Sequence, residues 1–128
     1  MRKLPLTILL LLAALPAGCG KARPALAGGK PVSHWVEALR DPDARVRKRA
    51  VAKLGNVGPG DPSVLPALVG ALKDRDPGVR GEAVLAVLKC GPAAGEAVPV
   101  LAELERQDPA PEVRSRAARA LERLRGPG

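Results

Sequence analysis

Between residues 33 and 126, apolar side chains recur every three or four positions in short runs, and each run ends at an Asp-Pro or Gly-Pro break. That period belongs to helices with one buried stripe rather than to strands. The pattern predicts a first helix over 34–40, with Ser33 as its N-cap and Trp35, Val36 and Leu39 facing inward. A second begins near Ala44 and carries Val46, Ala50, Leu54 and Val57. Further helices are expected over 64–72 (Leu65, Leu68, Val69, Leu72), 79–90, 98–104 and 113–125. Pro66 and Pro99 fall in first turns, where a missing amide costs little.

The breaks are as regular as the helices. The stretch DPDARVRKRAVAKLG from Asp41 returns as DPGVRGEAVLAVLKCG from Asp76 and DPAPEVRSRAARALERLRG from Asp108. Aligning Val46-Arg47, Val79-Arg80 and Val113-Arg114 gives steps of 33 and 34 residues, a period that means stacked helical units. The expected fold is therefore all-α, a short solenoid of three helical hairpins over 33–63, 64–97 and 98–126. On this alignment of Asp-Pro pairs, the break in the third unit is two residues longer than that in the second.

Residues 1–18 follow a different rule. Arg2 and Lys3 precede an apolar stretch from Leu4 to Leu15, followed by Pro16-Ala17-Gly18. A cationic start, an apolar run too short to span a bilayer comfortably and a small-residue exit predict a bacterial export signal. The exit Leu15-Pro16-Ala17-Gly18-Cys19 resembles the lipobox of bacterial lipoproteins, although Pro16 stands where that family usually has Leu. The resemblance implies that Cys19 is lipidated and becomes the first mature residue; an ordinary signal peptide cut near Ala17 or Ala22 is the alternative. Two or more acyl chains would hold the protein firmly at a membrane. Residues 19–32 read as a flexible tether, in which Gly20 to Pro31, rich in Gly, Ala, Pro and cations, reaches about 40 Å when stretched.

Composition narrows the core. Trp35 is the sole aromatic residue, so the interior must be made of Leu, Val and Ala. The formal charge is +8; without Arg2 and Lys3, 19 basic residues face 13 acidic ones, leaving +6. Such an excess attracts polyanions or simply keeps a protein soluble.

The repeats resemble the HEAT-repeat family, particularly the bacterial PBS-lyase HEAT-like form. The likeness rests on Leu-x-x-x-Leu in the first helix, Asp-Pro in the turn and Val-Arg-x-x-Ala in the second. It implies a right-handed α-solenoid in which Asp41, Asp76 and Asp108 form a hydrogen-bonded ladder with Arg47, Arg80 and Arg114 between neighbouring units. It also implies that the second helices line the concave face, where Arg49, Leu85, Arg116, Arg119 and Arg123 become a candidate binding surface. Glu82 interrupts that basic row, and no aromatic platforms accompany it, which argues against a groove tracking nucleic acid.

Cys90 falls in a core-facing slot and reads as a buried thiol, with a disulfide to Cys19 as the alternative. His34 has no Cys or carboxylate at ligand spacing, so no metal site is expected. Trp35 is expected to cover the N-terminal end of the stack, with ligand stacking as its other reading.

Three functions stay open. The first is a non-catalytic protein-protein interaction scaffold, exported and lipid-anchored in a bacterial envelope, with no cofactor. The second is electrostatic attachment to anionic wall polymers or lipid headgroups through Lys21, Arg23, Lys30 and the strip from Arg116 to Arg125. The third is an enzyme of the HEAT-like lyase or hydroxylase type. One histidine without a His-Glu pair excludes the di-iron hydroxylase ligand set. The C-terminal end, without an evident capping helix, leaves a second copy of the chain open as a partner.

Overall fold

The computed structural model describes residues 26–126. The leader 1–18, Cys19 and the first residues of the tether lie outside the described residues. Six helices form the three expected pairs. In chain order they are α1 (Val32–Ala38), α2 (Ala44–Val57), α3 (Val64–Ala71), α4 (Pro77–Leu88), α5 (Val98–Gln107) and α6 (Pro111–Arg125). Short 3-10 segments, Gly58–Gly60 and Gly91–Ala97, join the pairs. Gly58 and Gly91, at φ 59° and 63°, reverse the chain in the left-handed region that other residues avoid.

One apolar seam runs through all three pairs. Leu54, Leu68, Leu72, Leu101 and Leu121 are its largest sealed side chains, with Val51, Val64, Val79, Val84 and Val87 between them. Because Trp35 is the one aromatic side chain of this core among the described residues and small side chains make up most of the rest, helices approach closely. A Cβ on Gly55 of α2 would stand 2.8 Å from the Cβ of Ala86 on α4, so glycine is what permits that crossing. The second helices α2, α4 and α6 pack directly on one another, whereas α1 touches α3 lightly and α3 touches α5 less still. A stack that is tight on one side and splayed on the other curves toward the tight side, which places α2, α4 and α6 on the inner surface.

The turns follow one plan. Asp41, Asp74 and Asp108 each accept a hydrogen bond from the amide two residues on, at 2.8, 2.8 and 2.9 Å. Asp43 and Asp76 then cap α2 and α4 by accepting from Arg45 and Val79. Each repeat arginine turns one nitrogen, Nη1, back onto its own turn: Arg47 to the Asp41 carbonyl (2.9 Å), Arg80 to that of Asp74 (2.9 Å), Arg114 to that of Asp108 (2.7 Å). The other two nitrogens reach forward as a fork. Arg47 grips Asp74 at 2.9 and 3.0 Å, and Arg80 grips Asp108 at 2.7 and 2.9 Å.

The ladder therefore runs through Asp74, not Asp76. Asp76 sits two residues too late and serves as the helix cap, the equivalent of Asp43. With Asp74 in register, the third unit's turn has the same length as the others. The extra residue lies earlier, where α5 continues to Gln107 and separates Leu104 from Asp108 by one position more than Ala71 from Asp74. The ladder has two open ends. Among the described residues Asp41 receives no arginine from a preceding unit and Arg114 meets no carboxylate after it.

The N-terminal end also differs from expectation. The last residues of the predicted tether form a hairpin, β1 (Leu26–Ala27) against β2 (Lys30–Pro31), turning at Gly28 and Gly29 with φ 58° and 79°. Ala27 is buried, and its carbonyl accepts the Trp35 indole N–H at 2.7 Å. Gly28 lies over Lys53, which occupies in α2 the position Ala86 occupies in α4, the position that faces the preceding unit. The hairpin thus stands where another repeat would stack. Trp35 is the hairpin's anchor rather than the outer cover, and with only 8% of its surface exposed it offers no platform for stacking a ligand. Helix α1 starts at Val32 and takes no side-chain cap from Ser33. No described helix is long and apolar enough to cross a membrane.

Candidate functional site

The inner surface carries the chain's exposed chemistry. Along α2, α4 and α6 the positions three and six residues after Val46, Val79 and Val113 hold Arg49 and Ala52, Glu82 and Leu85, Arg116 and Arg119. In α6, Arg116, Arg119 and Arg123 share one face because their spacing of three and seven residues nearly matches whole helical turns. The structure brings these three together with Leu85 in a groove of about 340 Å3 between α4 and α6, completed by Leu88 and Glu112. Arg49 is exposed on α2 and does not line this groove.

The wall is not uniform. Arg116 donates to Glu112 at 2.7 Å, one turn earlier on the same helix, and lies across Gly81, where a Cβ would come within 3.2 Å of its Nη1. That pairing holds Arg116 against the scaffold. Arg119 donates to its neighbour Ser115, at 3.0 Å to the hydroxyl and 3.4 Å to the carbonyl, contacts that leave its charge uncompensated. The Arg123 guanidinium has no hydrogen-bonded partner among the described residues. The floor is Leu85, which is 41% exposed, beside half-buried Leu88. Among the described residues Leu26 and Leu85 are the large apolar side chains left exposed, and of the two Leu85 is the one that stands beside Arg119 and Arg123.

Leu88 and Glu112 were not singled out from sequence. Both were readable by spacing: Leu88 is one turn beyond Leu85, and Glu112 precedes Arg116 by four residues, the distance of a helical ion pair. The flanking units fill their equivalent positions differently. Lys89 Nζ donates to Asn56 Oδ1 at 2.8 Å across the first two units, so the groove does not extend there as a basic row.

Other features are structural. The ladder arginines Arg47 and Arg80 are nearly sealed and committed to carboxylates, and a cleft of about 430 Å3 beside α3 and α5 combines the engaged Asp74, Arg80 and Asp108 with exposed Lys73, Glu103 and Gln107. For Asp74 and Asp108, burial pushes the carboxyl pKa up, but the arginine fork and the turn amide outweigh it and hold each below the ordinary 3.8. Cys90 is 1% exposed in its core-facing slot, is unbridged among the described residues, and has its thiol pKa raised by burial. Cys19 lies outside the described residues. His34 is exposed and meets Trp35 edge-on at 4.8 Å. Among the described residues no three His, Cys, Asp or Glu side chains stand close enough to hold a metal ion.

No curated protein matches the chain in sequence. A family model described as HEAT repeats matches residues 32–122, and repeats of this kind generally mediate protein-protein interaction. That match covers the first five helices, most of α6 and the ladder between them, and the chain belongs to the HEAT-repeat family.

Proposed function

We propose that this protein is a non-catalytic protein-protein interaction scaffold, exported and held at a bacterial envelope membrane through lipidated Cys19. The observation that carries the scaffold reading is the groove between α4 and α6, an open apolar floor beside arginines that the fold does not consume. Support for a non-catalytic role comes from how the reactive groups are used. The buried charges are bound to one another in the ladder, and the described cysteine is sealed with its thiol pKa raised, which suppresses the thiolate that nucleophilic chemistry needs. Support for export and anchoring comes from the leader, with its cationic start, apolar run and small-small-Cys exit.

Two measurements test the proposal separately. Intact mass of the chain purified from the membrane fraction of its own host should show a protein beginning at Cys19 and carrying diacylglyceryl mass, and Cys19→Ala should abolish it. Cleavage elsewhere without lipid would end the anchoring reading. Amine-reactive cross-linking in intact cells should join the chain to protein; adducts to no protein would end the scaffold reading.

A further inference from the structure

Resting on the scaffold reading, we propose that the groove between α4 and α6 binds an acidic segment of a partner protein, with an apolar side chain on Leu85 and Leu88 and carboxylates on Arg119 and Arg123. The division of labour along α6 points there. Arg116 is already paired with Glu112 and braced over Gly81, so it shapes the wall. Arg119 and Arg123 are exposed, one turn apart, and no described carboxylate neutralises them. Their Cα atoms are separated by about 6 Å along the helix axis, four residues at 1.5 Å each. Two acidic residues separated by one position in an extended strand, or by one turn of a helix, present carboxylates at nearly that spacing.

The floor chooses between a peptide and a simple polyanion. A phosphate or uronate polymer has nothing to place on a leucine that is 41% exposed, and leaving Leu85 against a hydrated polyanion gains no apolar burial. Half-buried Glu82 on the same surface would repel a chain that is negative along its whole length. A protein segment with acidic residues flanking one apolar residue satisfies both demands. The charges would steer association and set register, and the leucines would supply the desolvated centre.

The test is photo-cross-linking in the native host, using the full chain with an apolar benzophenone amino acid at position 85. The same probe at Glu103, exposed on α5 away from the groove, is the control. Fragment sequencing should place the position-85 adduct on a protein segment with at least two acidic residues near an apolar one. Combining the probe with Arg119→Glu and Arg123→Glu should lower the yield about tenfold or more, because reversal replaces attraction by repulsion. Arg49→Glu, outside the groove, should leave the yield within about twofold. Circular dichroism should show that the reversed chain keeps its helices, as substitutions of exposed side chains permit.

An adduct to lipid or polysaccharide would overturn the proposal in favour of an envelope polymer. So would a protein segment lacking acidic residues, a yield indifferent to charge reversal, or cross-linking at position 85 no stronger than at 103. Protein adducts from position 103 with none from 85 would sink the groove alone and leave the scaffold standing. Adducts to protein from neither position, nor by amine-reactive chemistry, would remove both.

Discussion

Replacing Asp108 by Ala should destabilise this fold far more than replacing Asp41 by Ala, though the two residues occupy the same place in their repeats. Each accepts a turn amide, Asp41 at 2.8 Å and Asp108 at 2.9 Å, a bond contributing about 1 kcal/mol net. Only Asp108 also receives an arginine fork from the preceding unit, and that fork is nearly sealed, with side-chain exposures of 11% for Arg80 and 2% for Asp108. Removing one partner of such a pair strands the other charge, at about 3 kcal/mol toward the lower end of the usual range, because Arg80 keeps its Nη1 bonds to the Asp74 and Arg75 carbonyls. The expected losses are about 4 kcal/mol for Asp108→Ala and about 1 kcal/mol for Asp41→Ala. A domain of this size has roughly 5–15 kcal/mol in total, so the first change removes a large share and lowers Tm by roughly 15–30 °C, the second by roughly 4–8 °C. Thermal and urea unfolding followed by helical circular dichroism would measure both. Equal losses would refute the claim that the inter-unit fork, rather than the turn, joins the repeats. Arg80→Ala against Arg114→Ala provides the same contrast from the cation side.

Other outcomes follow from the same geometry. Asp74 and Asp108 have folded pKa values below the unfolded 3.8, so their contribution is present above about pH 5 and disappears as pH falls through their folded values; acid titration of stability should steepen below about pH 4, and Asp108→Asn should flatten that slope. Gly55→Ala should destabilise by about 1–3 kcal/mol in urea despite alanine's better helix propensity, since its Cβ would enter Ala86. Trp35→Phe should lose the bond to the Ala27 carbonyl and about 1–2 kcal/mol, with hydrogen exchange accelerating first over residues 26–31. Leu85→Asp should lower the unfolding midpoint by only a few degrees while abolishing the adducts formed with partner proteins, because this side chain is partly open to solvent.

How much of this could be read in advance depended on whether a residue's partner lay nearby in the chain. Helix number, the pairing of helices into three units and the inward sides of α2 to α6 follow from apolar spacing and proline breaks, which act within a few residues of themselves. Cys90 belongs to the same class: its slot in the helical period already directs it inward. The export reading of the leader rests on local runs of charge and hydropathy too, but it concerns residues outside those described.

The register of the ladder was not local. Asp74, Arg75 and Asp76 offer two acidic candidates, and the Asp-Pro pair attracts attention to the wrong one. Only the stacking of α2 on α4, which carries Arg47 up to Asp74 from 27 residues away, distinguishes the ladder carboxylate from the helix cap. The hairpin at residues 26–31 was hidden for a similar reason. Its Gly-Gly turn and isolated Leu-Ala look like linker until the Trp35 indole and the uncovered side of α2 provide something to fold against. The groove divides along the same line. The arginines of α6 share a face by helical period alone, and the sequence determined that strip. Whether Leu85 lies beneath it, whether Arg49 joins it, and which arginines remain unspent were decided by the packing of α4 against α6, because side chains distant in sequence meet only when the repeats close on one another.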